Sequence, residues 1–467
     1  MKWFQDWTLA TAMDQLYAKQ VYDDMKPYIN TLLPHTSSYG RAKLALLSLG
    51  VAFYVFIIGL SLLGLYIRSK PSPKSSRLPP TEAPPVSILR PLKGVDLNLY
   101  QNLESTFKQR YPIFELIFSI AEAQDPARQV VEQLMTKYPN VDARLIIGEK
   151  IVGSNPKINN LIRSYETAKY DIVWICDSNV FVDVDTLGRS VDALTSPGVG
   201  VVHHLPLAVL PSSYGAEVEQ VFLDTNHAKM YIAINYVAVS SCVMGKSNLY
   251  RRSDLDKAGG LAAFANFMAE DNLVADAIWK QGLSHVMTCD TACQSIGYMS
   301  PREYLMRRSR WLRVRKYIVT AATLVEPFQE CVLTGIYGAA SFHALWPNIN
   351  PWRFLTTHFI LWFCIDYTLF HTFLASQSMQ HPNKTMPFHK FLRAWITREV
   401  CALPIWCYAM AGTRIRWRGS YYRLRMDGSG VPYVERPLKK WVKGSGKKLV
   451  EYIGSPILNG NSSTNTS

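Results

Sequence analysis

The chain has 467 residues, of which 48% are hydrophobic and 18% are charged, and its formal net charge is +14. This length suits one large or two medium domains, and the apolar balance is typical of proteins whose hydrophobic residues are concentrated in membrane segments. The positive charge favours an anionic partner such as phosphate or a membrane surface, and the absence of a nucleic-acid-binding motif argues against nucleic acid.

The first predicted element is a membrane-spanning helix. Residues 1–43 form a mixed, amphipathic N-terminal extension without the pattern of a cleaved signal peptide. Residues 44–67 are an uncharged run that is long enough to cross a bilayer. Basic residues follow this run and place that side in the cytosol. Residues 68–85 are rich in Pro and Ser and are predicted to be a linker.

Short strands and helices alternate from residue 86 and define a predicted cytosolic catalytic domain over 86–301. Strands are predicted at 86–89, 114–120, 143–147 and 172–176, and helices at 99–107, 127–137 and 158–167. This alternation predicts an α/β fold whose mostly parallel sheet carries helices on both faces. Ligands bind beyond the carboxyl ends of the strands in such sheets, so the residues after Cys176 are prime site candidates.

The chain becomes apolar again after Trp311. Residues 302–317 are basic and aromatic and are predicted to be an interfacial helix. A membrane region is predicted over 318–412, with two crossings at 318–346 and 354–375. The stretch 392–410 carries charges that are costly in a bilayer, so it is predicted to be re-entrant or interfacial. Two crossings keep the basic tail, residues 413–467, in the cytosol with the catalytic domain.

The tripeptide after the predicted strand 172–176 could bind a metal. Asp177 and Asn179 bring two oxygen-bearing side chains to a strand end. Such oxygens suit Mg²⁺ or Mn²⁺, which take few protein ligands and complete their coordination with phosphate and water. The alternative is an Asx turn that only ends the strand.

An acidic pair, Glu270 and Asp271, lies in the helix-like stretch 264–279. One of these carboxylates is a candidate general base that accepts a hydroxyl proton. The alternative is an acidic helix start that only interacts with the helix dipole. Asp96 lies in the loop after the first strand, where it either contacts a nucleotide or is a solvated turn residue. Lys157, at the predicted start of a helix, either binds phosphate or belongs to a capped helix.

Arg307, Arg310 and Trp311 form an Arg-x-x-Arg-Trp motif. Arginine donors suit phosphate oxygens, and fixed cations stabilise the charge that develops on a diphosphate leaving group. The same cluster could instead be a basic collar at a membrane surface. The neighbouring basic residues are assigned to the lipid surface; they are Arg308, Arg313, Arg315 and Lys316.

These motifs together resemble those of the ceramide glucosyltransferase family, whose members are membrane-bound, inverting enzymes of the GT-A fold. The resemblance covers roughly residues 86–425 and rests on specific strings: RPLKGVD (90–96), YPNVDARL (138–145), NPKINN (155–160), WICDSN (174–179) and AGGL (258–261). It implies a GT-A-type mixed sheet with helices on both faces, together with transmembrane and interfacial helices.

The resemblance also implies roles for single residues. The acidic motifs of the family fall on Asp96, Asp177 and Asp271, of which the last is the base. The (Gln/Arg)-x-x-Arg-Trp motif falls on the residues already named. Three further residues match positions near the family's site; they are Glu122, His203 and Cys242. For the last two, a packing role is an equal alternative.

This chain departs from the family pattern at three positions. Asn179 replaces a common glycine, Asn272 replaces an aromatic residue, and Glu122 stands where an aspartate is expected. These departures bear on donor specificity more than on the reaction class.

The resemblance implies the transfer of glucose from UDP-glucose to the primary hydroxyl of ceramide with inversion, which is the first step of glucosphingolipid synthesis. Asp96, Glu122 and Lys157 would bind the nucleotide, and Asp177 with Asn179 would bind Mg²⁺ or Mn²⁺. A multi-pass protein of the Golgi or endoplasmic reticulum is expected, with its catalytic domain in the cytosol. The alternatives are a related transferase with another lipid acceptor or UDP-sugar, and a non-catalytic lipid-binding membrane protein.

Overall fold

The computed structural model describes residues 38–70, 74–76, 78–377, 386–417, 419–433, 439–441 and 450–452. Most of the predicted N-terminal extension and most of the chain after residue 433 therefore lie outside the described residues.

An eight-stranded mixed sheet forms the centre of the fold. Its strands are β1 (Val86–Leu92), β2 (Phe114–Ile120), β3 (Asp142–Ile147), β4 (Ile172–Cys176), β5 (Val180–Phe181), β6 (Val199–Pro211), β7 (Ser247–Arg251) and β8 (Ser284–Gly297). They lie in the order β3-β2-β1-β4-β7-β6-β8-β5. The first four strands are parallel, as predicted, whereas β7 runs antiparallel to both β4 and β6. Because β7 is antiparallel to β4, its first residue, Ser247, lies beside the last residue of β4, Cys176.

Helices cover both faces of this sheet. One face carries α2 (Leu99–Phe107), α3 (Ala127–Lys137) and α5 (Thr186–Leu194), which pack onto a core around Trp174. The other face carries α4 (Pro156–Thr167), α8 (Arg252–Asp256) and α9 (Glu270–Trp279). The strand and helix predictions between 86 and 176 are confirmed to within three residues at each end, and the predicted α/β fold class, with helices on both faces of a mixed sheet, is confirmed.

A layer of long helices packs against the sheet domain. Its members are α1 (Ser38–Ser69), α6 (Tyr214–Phe222), α7 (Ala228–Val237), α10 (Pro301–Ile318), α11 (Thr320–Val325), α12 (Cys331–Leu345), α13 (Pro351–Gln377) and α14 (Phe388–Met410). Among the described residues, α1 alone is long and apolar enough to cross a membrane, and 17% of its most apolar stretch is buried. The rest of that stretch is therefore available to lipid.

The segment 318–346, predicted as one crossing, is instead three helical pieces. Helix α11 ends at Val325, a 3₁₀ turn covers Glu326–Gln329, and α12 begins at Cys331. Pro327 lies in this turn, and its missing N–H prevents a continuous helix. The number of crossings after Trp311 remains a prediction.

A buried charge cluster joins three helices of this layer. Lys229 in α7 lies 2.8 Å from Asp366 in α13, and Arg398 in α14 lies 2.9 Å from the same carboxylate. Glu399 also contacts Arg398. Because the charges in α14 are paired inside the protein, they do not have to face lipid.

The chain finally returns to the sheet domain as a three-stranded sheet of β9 (Arg414–Trp417), β10 (Ser420–Leu424) and β11 (Gly430–Pro432). The Gly430 N–H donates to the Asn266 carbonyl at 2.9 Å, and a single bridge pairs Phe267 with Ser429. This sheet therefore lies against the loop that precedes α9. Strands β12 (Lys439–Trp441) and β13 (Val450–Tyr452) form a separate hairpin.

Candidate active site

A cavity of about 530 Å³ lies at the carboxyl end of β4, between the sheet and the helical layer. We call its hydrophilic side the polar wall, which contains Asp96, Lys157, Asp177, Asn179, Lys246, Glu270 and Asp271. Its opposite side, the apolar wall, contains Met230, Ile234, Val314, Ile318, Val319 and Ala322. The cavity therefore combines charged groups with a surface suited to an apolar ligand.

Asp177 is the centre of the polar wall. Its two carboxylate oxygens lie 3.0 Å from the Lys157 ammonium and 2.9 Å from the Lys246 ammonium. Burial alone would raise the pKa of Asp177, but the two lysines outweigh this effect and hold it well below its usual range. The carboxylate is therefore ionised at neutral pH.

Two helix starts meet behind Lys157. Asn155 caps α4, since its side-chain oxygen accepts the backbone N–H of Lys157 at 2.8 Å. Its amide nitrogen donates to Glu270, the first residue of α9, at 2.9 Å. The other Glu270 oxygen lies 3.1 Å from the Lys157 ammonium. Glu270 therefore holds the Lys157 ammonium group in place. The sequence had left open a general base or an acidic helix start for this residue, and the ion pair with Lys157 is neither.

Asp271 lies beside Gly245 in the cavity wall. A Cβ on Gly245 would lie 2.5 Å from Asp271 Oδ2 and 2.7 Å from its Cβ, so only glycine leaves room for this carboxylate. Burial, and next the charge of Glu270, raise the pKa of Asp271 to about 6. A carboxylate with this pKa is ionised at neutral pH and still accepts a proton readily.

The oxygens near Asp177 suit a hard divalent cation. Ser178 donates to Asp96 at 2.8 Å and links the β1 loop to the β4 loop. Asn179 lines the same cavity. Among the described residues there is no group of three or more His, Cys, Asp or Glu side chains that would bind a metal unaided. The donor set thus fits a cation that takes one or two protein oxygens and is completed by a diphosphate.

The Arg-x-x-Arg-Trp motif lies in α10 and lines the same cavity as the polar wall. Arg307, Arg310 and Trp311 all line it. The Arg307 Nε lies 2.6 Å from Glu219, whose side chain is fully buried, and the Arg307 guanidinium stacks 5.1 Å from the Trp311 ring centroid. These contacts fix a cation and an indole at the cavity surface, and the phosphate-binding role of the motif stays a prediction.

The four basic residues assigned to the lipid surface bind protein groups instead. Arg308 is buried, with its guanidinium 3.4 Å from the Phe222 ring centroid. Lys316 donates to the Met410 and Gly412 carbonyls at the end of α14, and Arg313 donates to the Tyr408 and Arg414 carbonyls. Arg315 pairs with Glu326 at 2.6 Å. The carbonyls at the end of α14 need donors and attract these cations.

Of the three remaining candidate residues, Cys242 lines the cavity, whereas Glu122 and His203 do not. Cys242 lines the cavity, and burial raises the pKa of its thiol. Glu122 lies on the exposed loop after β2 and is not part of the cavity wall.

His203 is fully buried in β6 and does not reach the cavity. Burial, and next His285, lower the pKa of His203 to about 3, so it is neutral. Its Nδ1 lies 2.8 Å from the Tyr231 hydroxyl, which accepts the Met244 N–H at 3.0 Å. His203 therefore supports the wall from behind.

Lys246 and Gly245 were not predicted from the sequence. The backbone N–H of Asp177 donates to the Lys246 carbonyl at 3.0 Å, because β4 and β7 are antiparallel neighbours. Because the sequence predicted a mostly parallel sheet, it did not indicate that the start of β7 lies beside the end of β4. His227, whose ring centroid lies 6.4 Å from that of Trp311, lines the cavity and was not predicted from the sequence either.

Comparisons with known proteins show the family of this chain. Residues 49–430 match Glycosyl transferase family 21. A ceramide glucosyltransferase of Komagataella phaffii is 36% identical and aligns over 86% of this chain and 95% of its own length. One from Pyricularia oryzae is 33% identical over 82% of this chain and 92% of its own.

Among solved structures, a mannosyltransferase from Pyrobaculum calidifontis in complex with GDP-Man and Mn²⁺ aligns with a TM-score of 0.44 and 17% identity. It covers 72% of this chain and 100% of its own. The family match spans most of the sheet domain and most of the helical layer described above. The chain therefore belongs to Glycosyl transferase family 21.

Proposed function

We propose that this protein is a ceramide glucosyltransferase, which transfers glucose from UDP-glucose to the primary hydroxyl of ceramide and inverts the anomeric configuration. The observation that carries the proposal is the cavity itself: Asp271, the Asp177 cluster and the Arg-x-x-Arg-Trp motif face one space whose other side is apolar. A charged donor and a lipid acceptor need both kinds of surface in contact. The relatives named above, which are ceramide glucosyltransferases, support this substrate pair.

Asp271 is the base in the proposed reaction. It accepts the proton of the ceramide hydroxyl while that oxygen attacks the anomeric carbon of glucose. The bond between this carbon and the diphosphate oxygen breaks on the opposite face, and UDP leaves with the bonding electrons. The raised pKa of Asp271, about 6, lies near the operating pH, where a base is most effective.

Cations across the cavity stabilise the departing UDP. Arg307 and Arg310 lie on the α10 side, and Lys157 and Lys246 lie on the sheet side. Fixed positive groups lower the barrier because negative charge grows on the diphosphate as the bond breaks. Asp96 is placed to contact the nucleotide. Trp311 gives the acceptor pocket an aromatic surface.

Asp177 and Asn179 would hold Mg²⁺ or Mn²⁺. When bound, this metal would neutralise part of the diphosphate charge. Both oxygens of Asp177 contact a lysine ammonium group within 3.0 Å, so a metal bound there would share this carboxylate with Lys157 and Lys246.

The proposed enzyme acts at a membrane. Ceramide is almost insoluble, so its site has to open at a bilayer, and α1 is the proposed anchor. The basic residues after α1 favour a cytosolic catalytic domain. A multi-pass arrangement in the Golgi or endoplasmic reticulum belongs to the same proposal.

The test is a substrate panel with the purified full chain in detergent. UDP-glucose and UDP-galactose are each offered with ceramide and with diacylglycerol, and the products are identified by mass spectrometry and proton NMR. The proposal expects β-glucosylceramide as the main product. A main product that carries another sugar, contains another lipid or has α configuration would contradict it, as would UDP release without glycolipid.

A further inference from the structure

The apolar wall of the cavity ends at an exposed apolar loop. Helix α7 ends at Val237, and Ala238 follows in a left-handed conformation that turns the chain back towards the cavity. Three side chains of this loop are exposed despite being apolar or aromatic: Tyr236 at 57%, Val237 at 48% and Val239 at 77%. Exposed apolar groups in one short turn usually mark an interaction surface.

This loop is continuous with the cavity. Ile234 precedes it, the segment from Ser240 to Met244 follows it, and both line the cavity. A second segment, α11 and the next turn, lines the cavity through Ala322 and Gln329 and exposes the side chains of Leu324, Val325 and Phe328. Two segments of the cavity lining, which we call the rims, therefore also carry exposed apolar side chains.

The position of α1 indicates that a lipid bilayer covers this loop. A methyl group on Gly64 would lie 2.4 Å from the Lys229 carbonyl oxygen, so α1 and α7 touch backbone to backbone. At the end of α1, the Lys70 ammonium lies 4.8 Å from the Tyr66 ring centroid and 5.5 Å from the Tyr236 ring centroid. Lysine and tyrosine are common where a membrane helix leaves the bilayer. The loop therefore lies at the level where α1 would meet the lipid headgroups.

We propose that residues 236–239 form a lip that inserts into the cytosolic surface of the bilayer beside α1 and admits the lipid acceptor sideways into the cavity. The acceptor keeps its hydroxyl headgroup at the level of Tyr236 and passes its tails between the two rims. Insertion of the lip depends only on α1 and the loop. Its role in acceptor entry also rests on the proposed function.

Photo-crosslinking tests the insertion. The full chain in phosphatidylcholine vesicles carries Val239→benzoylphenylalanine or, as a control, Ile151→benzoylphenylalanine. Ile151 is similarly exposed, at 70%, but lies on the loop after β3. Irradiation is expected to add a lipid mass at position 239 and none at 151. No lipid at 239, or equal lipid at both positions, would overturn the proposal. This result is independent of whether the protein glucosylates ceramide.

Turnover tests the entry role. The double variant Val237→Asp with Val239→Asp is expected to lose about tenfold of its turnover of long-chain ceramide embedded in vesicles, because charged side chains insert poorly into lipid. Its turnover of short-chain ceramide delivered from detergent micelles should equal that of the wild type. Ile151→Asp should leave both rates unchanged. An equal loss with both acceptors, or no loss with the embedded one, would refute entry through the lip.

Discussion

The polar and apolar walls of the cavity are built in different ways. On the polar wall, the Asp177 and Glu270 carboxylates lie within 3.1 Å of cations supplied by the start of α4 and by the residue before β7. On the apolar wall, Ile318 and Val319 lie where α10 gives way to α11, and Ala322 is exposed. Charged groups that act on a reacting atom need fixed positions, whereas a lipid tail needs only apolar surface. Changes on the polar wall should therefore affect kcat, and changes on the apolar wall should affect the KM of the acceptor.

The largest effect is expected for Asp271→Asn. The amide keeps the size of the side chain but cannot accept the hydroxyl proton, so kcat should fall by roughly 10²–10⁴-fold, the usual worth of a general base. The KM of the donor should change little. Asp276→Asn is a matched control in the same helix, because Asp276 pairs with Lys280 at the surface. A kcat near the wild-type value for the Asp271 variant would exclude it as the base.

The second-largest effect is expected for Gly245→Ala, which tests how tightly the polar wall is packed. Gly245→Ala places a methyl group within 2.5 Å of the Asp271 carboxylate, which has to move. Overpacking of this kind costs roughly 1–3 kcal/mol, so a loss of about ten- to a hundredfold in kcat is expected. Gly59→Ala is the control, since a Cβ there meets no atom within 4 Å.

Both glycine variants should be checked by thermal unfolding. A folded Gly245→Ala protein that retains full kcat would show that Asp271 tolerates displacement and that its position is less constrained than the structure implies.

The contrast between the walls also explains what could be predicted from sequence. The first four strands pair in parallel through local β–α–β units, so their parallel direction and the candidate position after Cys176 followed from pattern alone. The position of Lys246 could not be predicted in this way, because Lys246 lies beside Asp177 only where β7 inserts antiparallel to β4. The apolar wall combines α7 with α10 and α11, and α7 is far from the other two helices in the chain. The contact of Arg308 could not be predicted either, because nothing in the local sequence indicates that this basic residue stacks on Phe222.

The pH dependence of kcat provides a smaller, graded test of the polar wall. Burial and the charge of Glu270 raise the pKa of Asp271 to about 6. The base acts only when ionised, so kcat should level off above pH 6 and fall by about tenfold for each pH unit well below it. The KM of each substrate is measured separately across the range. A kcat that does not fall on acidification, in a protein that stays folded, would contradict the assignment of Asp271.

The smallest effect is expected on the apolar wall. Ala322→Phe adds a ring to the cavity side of α11, where lipid tails are proposed to pass. The KM for long-chain ceramide should rise by about three- to fivefold, which is modest because apolar surfaces discriminate weakly by size. The kcat and the KM of UDP-glucose should stay the same, because α11 contributes nothing to the polar wall.

Ala321→Phe is the matched control, since Ala321 is exposed on the same helix but does not line the cavity. Both variants are assayed against ceramides of increasing chain length. If Ala322→Phe lowered kcat equally for every chain length, the apolar wall would be coupled to the reacting groups, and the division between a fixed polar wall and an adaptable apolar one would fail. A rise in KM that grows with chain length and is absent in the control would instead place the tails along α11.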